Sequence, residues 1–412
     1  MRFIRIALIS VFLVAFAAGA MAQGGFPLSF DNRLRVEYDD NIRQTDEDKD
    51  GSMKIINQLM IQGDMDMENT YISLRYIPSY QYWAERSERR NDINHSLDVI
   101  LNQDFTPRLS LSVQDRLRYS QYPELRSTDE ADLVIREDNT YLYNKLTGAI
   151  AYRMGSLWRV RVNAGHEFIE YRRDPVSASR EDYVKYIGGF DLERSLGANT
   201  SIAGQLRYSQ IDYDRDAPEV VQNEAVIDRG RGDRSSDQIQ VGAFLQQVFN
   251  PGLIGSLRGG YTYRDYKEAY IDSEDGPYVD VSATYLPTPQ TRLTVGGNHQ
   301  IYDADVYPYV GQTRTSFYGS IGQDLTSKLD LFLSATYIMG DYDADEVVKT
   351  VVREQGEDMG GDDESGQLSA RLRYNFYRDN YLELGYQLTD VSSDIRRDYT
   401  RNRYWVGWQT RL

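Results

Sequence analysis

The chain has no cysteine, and that absence removes disulfides, thiolate metal sites and cysteine nucleophiles together. Histidine is almost as scarce, with only His95, His166 and His299. No G-x-S-x-G, H-E-x-x-H or phosphate-loop pattern occurs, and no pair of carboxylates stands apart from the rest. An enzyme is therefore not expected. Beyond residue 22 no apolar stretch approaches the length of a membrane-spanning helix. Apolar residues make up 41% of the chain and the mean hydropathy is -0.59, which is lean for a large soluble core. Positive charge is also in deficit. The formal net charge of -17 speaks against nucleic acid as a partner. A fixed internal repeat is missing too, so a solenoid is not expected.

What is present begins with Arg2 and Arg5, an apolar run over residues 6–18, and Ala20-Met21-Ala22 as an A-x-A cleavage site. This predicts a secretory signal peptide over residues 1–22 and a single exported domain over residues 23–412. No cysteine follows the site to carry a lipid anchor. An exported chain without a spanning helix is either soluble or an outer-membrane barrel.

The final stretch separates these options. Leu368, Ala370, Leu372, Tyr374 and Phe376 alternate with Gln367, Ser369, Arg371, Arg373 and Asn375. Leu382, Leu384, Tyr386 and Leu388 alternate with Glu383, Gly385, Gln387 and Thr389. Tyr404, Val406, Trp408, Thr410 and Leu412 alternate with Arg403, Trp405, Gly407, Gln409 and Arg411, and the chain stops there. Period-2 alternation marks strands whose two faces meet different surroundings. These strands are about twice the usual 5–6 residues, long enough to cross a bilayer at a tilt.

About eighteen such segments follow one another from Phe26 onward. Their connections alternate between short turns and long polar loops, the longest at residues 40–51, 123–137, 214–233 and 343–363. The expected fold is an all-β, transmembrane, antiparallel up-and-down β-barrel in the cell outer membrane. Short turns should lie on the periplasmic side with both termini, and long loops outside. A barrel of about 18 strands leaves an aqueous lumen. The 33 tyrosines suit aromatic girdles. Tyr38, Tyr80, Tyr82, Tyr119, Tyr122, Tyr213, Tyr263, Tyr266, Tyr302 and Tyr342 fall at strand tops and are read as girdle rather than sugar platform.

If the apolar register meets lipid, the other register lines the pore. By that phasing Arg116, Arg118, Arg159, Arg161, Arg207, Arg258, Arg264, Arg292, Arg371 and Arg373 point inward, with Glu167 and Glu383. Lysine is scarce beside arginine, which fits a preference for planar, bidentate donors. Two readings stay open. The arginines pair with inward acids and knit the wall, or they form a basic channel for an anionic or polyhydroxylated solute. All three histidines phase with lipid-facing residues. In the first loop Asp46, Asp48 and Asp50 form a D-x-D-x-D-G run that could hold Ca²⁺ or Mg²⁺. The twelfth position of that run is Asn57, where a calcium loop needs glutamate, so a solvated acidic loop is the other reading.

Organised in this way, the chain resembles the large outer-membrane β-barrel porins associated with capsule or exopolysaccharide secretion. The likeness is closest in Arg371-Leu372-Arg373-Tyr374-Asn375-Phe376, Leu384-Gly385-Tyr386-Gln387-Leu388 and residues 398–407. The resemblance implies a conduit exporting polysaccharide, with outer-membrane lipid, the barrel-assembly machinery and periplasmic components of a secretion system as partners. Such barrels commonly end in an aromatic assembly signal; here Leu412 is last and Trp408 supplies the aromatic. An uptake porin for small solutes and a structural or adhesive barrel with cation-binding loops are the alternatives.

Overall fold

The computed structural model describes residues 27–86, 90–121, 140–171, 182–213, 220–222, 225–228, 234–268, 271–304, 309–344, 361–395 and 398–411. The signal-peptide expectation for residues 1–22 lies outside them. Nine strands come first: β1 (Leu28–Asp39), β2 (Ser52–Met67), β3 (Thr70–Trp83), β4 (Asn91–Thr106), β5 (Leu109–Ser120), β6 (Tyr141–Met154), β7 (Trp158–Tyr171), β8 (Tyr183–Ser195) and β9 (Thr200–Tyr213). A small hairpin, β10 (Val220–Gln222) and β11 (Ala225–Asp228), follows. Then come β12 (Ser236–Asn250), β13 (Leu253–Tyr266), β14 (Glu274–Thr288), β15 (Thr291–Asp303), β16 (Tyr309–Thr326), β17 (Leu329–Ala344), β18 (Asp362–Tyr377), β19 (Asn380–Ser393) and β20 (Tyr399–Arg411).

All but the hairpin form one 18-stranded antiparallel sheet. β9 pairs with β12, and β1 pairs with both β2 and β20, so the sheet closes into a barrel with no free edge. The hairpin pairs only with itself within a connection expected to be plain loop. Val220, Val221, Val226 and Ile227 are strand formers, and their local pairing needs no wall.

The two faces differ sharply. Val406, Val295 and Leu384 are 60%, 58% and 57% exposed, whereas Asp92 and Glu37 are 0% and 1% exposed. Bare apolar side chains outside and buried charge inside invert a soluble protein, and hydrocarbon around the barrel resolves the inversion. Short turns close one end. Gly155 supplies the left-handed backbone (φ +68°) in the turn after β6.

Inward aromatics lie flat against this wall instead of filling it. The Trp405 ring covers Gly385 on the neighbouring strand, so a Cβ there would stand inside the indole. Trp405 Nε1 donates to Glu383 at 2.6 Å. Tyr278 spans Gly260 and Gly242 in the same way, across two strands. Gly385→Val is expected to swing the indole into the lumen and break its bond to Glu383. Tryptophan emission should shift and single-channel conductance should fall; unchanged values in both would remove this account of the glycine.

One loop contact responds to acid. Glu85, between β3 and β4, accepts bonds from Ser52 Oγ (2.7 Å) and the Met53 amide (2.8 Å). The Ser52 bond, then the Met53 amide, holds its carboxyl below the usual glutamate range. The carboxylate form is the bonded one, so the link is complete above the ordinary glutamate value. It is lost as pH falls through the lowered one. Amide exchange at Met53 should therefore accelerate only in acid below the usual range, and Ser52→Ala should move that onset upward.

Candidate functional site: an arginine-lined lumen

The strand ladders set all twelve residues singled out by phasing on the face opposite the exposed apolar side chains. They do not share one environment. Asp98 on β4 gathers three guanidiniums: Arg75 at 2.8 Å, Arg118 at 2.8 Å and Arg116 at 3.7 Å. Glu167 accepts from Tyr183 Oη (2.8 Å) and faces Lys145 Nζ at 3.2 Å. Asp191 is filled by Arg207 (2.6 Å), Gln205 (3.1 Å) and Asn163 (3.1 Å). Glu383 binds Arg33 and Trp405. Arg373 pairs with Asp330 at 2.8 Å. Arg264 lies buried between Asp303 (3.3 Å) and Glu274 (3.7 Å).

Others form no close ion pair, although an acid stands opposite two of them, Glu193 across from Arg159 and Asp280 across from Arg258. Arg159, Arg161, Arg258 and Arg292 form no ion pair among the described residues. Arg161 faces Asp191 across the ladder, but other donors already occupy that carboxylate. Arg153, which the phasing did not single out, stands directly opposite Arg159 and is likewise unpaired. It was legible: Tyr152 and Met154 on either side face outward. Stacking steadies two guanidiniums, with Arg258 over Phe244 at 5.6 Å and Arg371 over Phe332 at 5.3 Å. The wall-knitting reading therefore holds for the paired arginines, and the unpaired ones are those on which the channel reading rests.

The tyrosine expectation needs correction. Tyr38, Tyr80 and Tyr263 are exposed on the outer face, as girdle residues should be. Tyr213, Tyr266 and Tyr342 are buried on the inner register, and Tyr302 also faces inward beneath Arg314, 3.8 Å away. Near the long-loop end the inner face itself turns apolar, as Ile211 and Ile169 show. There the contrast between oily and polar no longer reports lipid against lumen. Tyr122 lies outside the described residues.

Histidine phasing agrees with the ladders, but cross-strand partners escaped it. His299 Nδ1 meets Thr315 Oγ1 at 2.8 Å and His95 Nδ1 meets Tyr76 Oη at 2.8 Å, both on the outer face. In the first loop Asp50 pairs with Arg43 at 2.8 Å. Among the described residues no group of three or more His, Asp or Glu is arranged to hold a metal, Asp46, Asp48 and Asp50 included.

A family model described as "Putative beta-barrel porin 2" matches residues 15–412. The chain belongs to this family. It is an outer-membrane β-barrel porin. No curated protein matches. Among solved structures the porin is similar to OccK2 (OpdF) of Pseudomonas aeruginosa, at 12% identity and TM-score 0.49, covering 94% of this chain and 100% of that one. It is similar to OccAB4 of Acinetobacter baumannii at 11% identity and TM-score 0.46, covering 94% and 99%. A loop-deleted OmpT of Vibrio cholerae matches at 11% identity and TM-score 0.41, covering 94% and 100%.

Proposed function

We propose that this porin admits small anionic solutes, carboxylates above all, through the barrel. The observation carrying this reading is the set of lumen-facing arginines without an acid partner: Arg153, Arg159, Arg161, Arg258 and Arg292. A planar guanidinium binds a carboxylate through two parallel hydrogen bonds, and rings of arginine favour anions in a pore. Arginines whose charge is already spent on the wall cannot do this; the unpaired ones can.

Export of a polysaccharide is the second reading. Phe332 and Tyr318, both on the inner register and about two-fifths exposed, offer faces on which sugar rings stack.

The two readings separate in proteoliposomes. A sugar acid should enter faster than the neutral sugar of the same size, and a long anionic polysaccharide should not pass. Equal rates for acid and neutral sugar would defeat the anion reading. Passage of the polymer would favour export.

A further inference from the structure

One ion pair in the barrel reaches past four intervening strands. Lys185 on β8 and Asp303 at the end of β15 approach to 3.7 Å. Around the ring these strands are separated by β9, β12, β13 and β14. In a circular barrel of 18 strands spaced about 4.8 Å and tilted about 40°, they would stand roughly 28 Å apart. That gap exceeds the combined reach of a lysine and an aspartate side chain. The end of β15 therefore leans well inside the cylinder, toward β8.

Other contacts hold it there. Arg264 on β13 donates to the Tyr302 carbonyl at 2.9 Å and pairs with Asp303 at 3.3 Å. Arg264 is itself fixed by Gln238, whose Oε1 accepts at 2.7 Å. Arg234, just before β12, donates to the Ala304 carbonyl at 2.9 Å and lies over the Tyr213 ring at 4.5 Å. Gln312 on β16 donates to the Asp303 carbonyl at 3.0 Å. Ala304 is fully buried against Tyr309 and Tyr342. Three cations, Lys185 from β8, Arg264 from β13 and Arg234 two residues before β12, thus converge on residues 302–304. Two of them are buried anchors, while Lys185 comes from five strands away around the ring and keeps a quarter of its side chain exposed.

We propose that residues 302–304 form the size-limiting constriction of this porin, and that the Lys185–Asp303 pair sets its aperture. The inference rests on the channel and not on the identity of the solute. Arg234 and Arg264 hold the segment at its root; Lys185 holds its free side toward β8. A solute crossing the long-loop mouth on this side must pass between Lys185 and Asp303 or part them.

Two variants test it in planar bilayers, with the folded state of each checked by heat-modifiable gel migration. Conductance of the parent barrel, measured first, tests the channel itself. Lys185→Gln removes the charge and shortens the side chain by one atom, and it should raise single-channel conductance on the order of twofold. The native chain has no cysteine, so Lys185→Cys with Asp303→Cys creates a single, unambiguous pair. Bridging that pair with a short bismaleimide should lower conductance below that of the same protein before treatment. Parent-like conductance in Lys185→Gln, or a bridged channel conducting like its untreated self, overturns the proposal.

Discussion

Asp39→Ala is expected to leave much of the chain in the unfolded form on heat-modifiable gels and to lower the urea midpoint of the remainder. Asp39 is fully buried on β1 and holds Arg401 of β20 through two hydrogen bonds, one from Nε at 2.9 Å. It also caps the backbone N–H of Asn41 at 3.2 Å. Removing one partner of a buried pair strands the other charge, at about 3–5 kcal/mol. The position magnifies the effect. β1 and β20 are the two ends of the chain, so their pairing closes the longest loop in the molecule and comes with the largest entropic cost. Further ionic contacts line the same seam: Arg33 with Glu383, Lys54 with Glu37 at 2.7 Å, and Arg411 with Asp31 at 3.7 Å. Adding Arg401→Leu to Asp39→Ala should recover part of the loss, because it removes the stranded charge. A single variant as stable as the parent would show that the seam closes without this pair.

Converting Arg153, Arg159 and Arg161 together to glutamate should reverse the ion selectivity of the channel. The readout is the reversal potential under a salt gradient, whose sign should switch from anion-favouring to cation-favouring. The same change at Arg75, Arg116 and Arg118 should instead damage folding. Those three surround Asp98, and glutamates there would crowd four carboxylates into one patch. The comparison separates arginines that serve the solute from arginines that serve the wall. If the first triple variant stays anion-selective, the unpaired arginines are not the selectivity element. Salt should also weaken the preference, because barrels of about 16–18 strands leave an aqueous channel and charges in water are screened over about 8 Å at physiological ionic strength.

The acidic loops and the basic wall divide the labour of charge. The net charge of -17 is dominated by acid in the long connections, among them Asp46, Asp48 and Asp50. Beneath them the wall presents arginine. A small anion reaching the mouth meets repulsion first and attraction afterwards, so entry rather than binding is the step that loop charge would slow.

Much of the architecture was legible before any coordinates. Long runs such as Leu368 to Phe376 against Gln367 to Asn375 admit only one reading, since a one-residue slip would send every arginine into lipid. Strand number, antiparallel order and the inward placement of Arg116, Arg159, Arg207 and Arg373 all follow from that constraint. It acts residue by residue along the chain, and so it can be read along the chain. The constraint weakens at the strand tops, where Tyr213, Tyr266 and Tyr342 turned inward, because both faces there are apolar.

What only the tertiary structure decided is which charges meet. Arg159 and Arg118 look alike in sequence, each between apolar neighbours on a long strand. Arg118 finds Asp98 at 2.8 Å and is spent; Arg159 finds no partner among the described residues and keeps its charge for the lumen. Nor does any local pattern foretell Lys185 meeting Asp303, separated by several strands around the ring. Alternation is a property of one strand in its surroundings, whereas pairing depends on stagger between strands and on where the closed wall bends. The first is written along the chain; the second exists only once the barrel has closed.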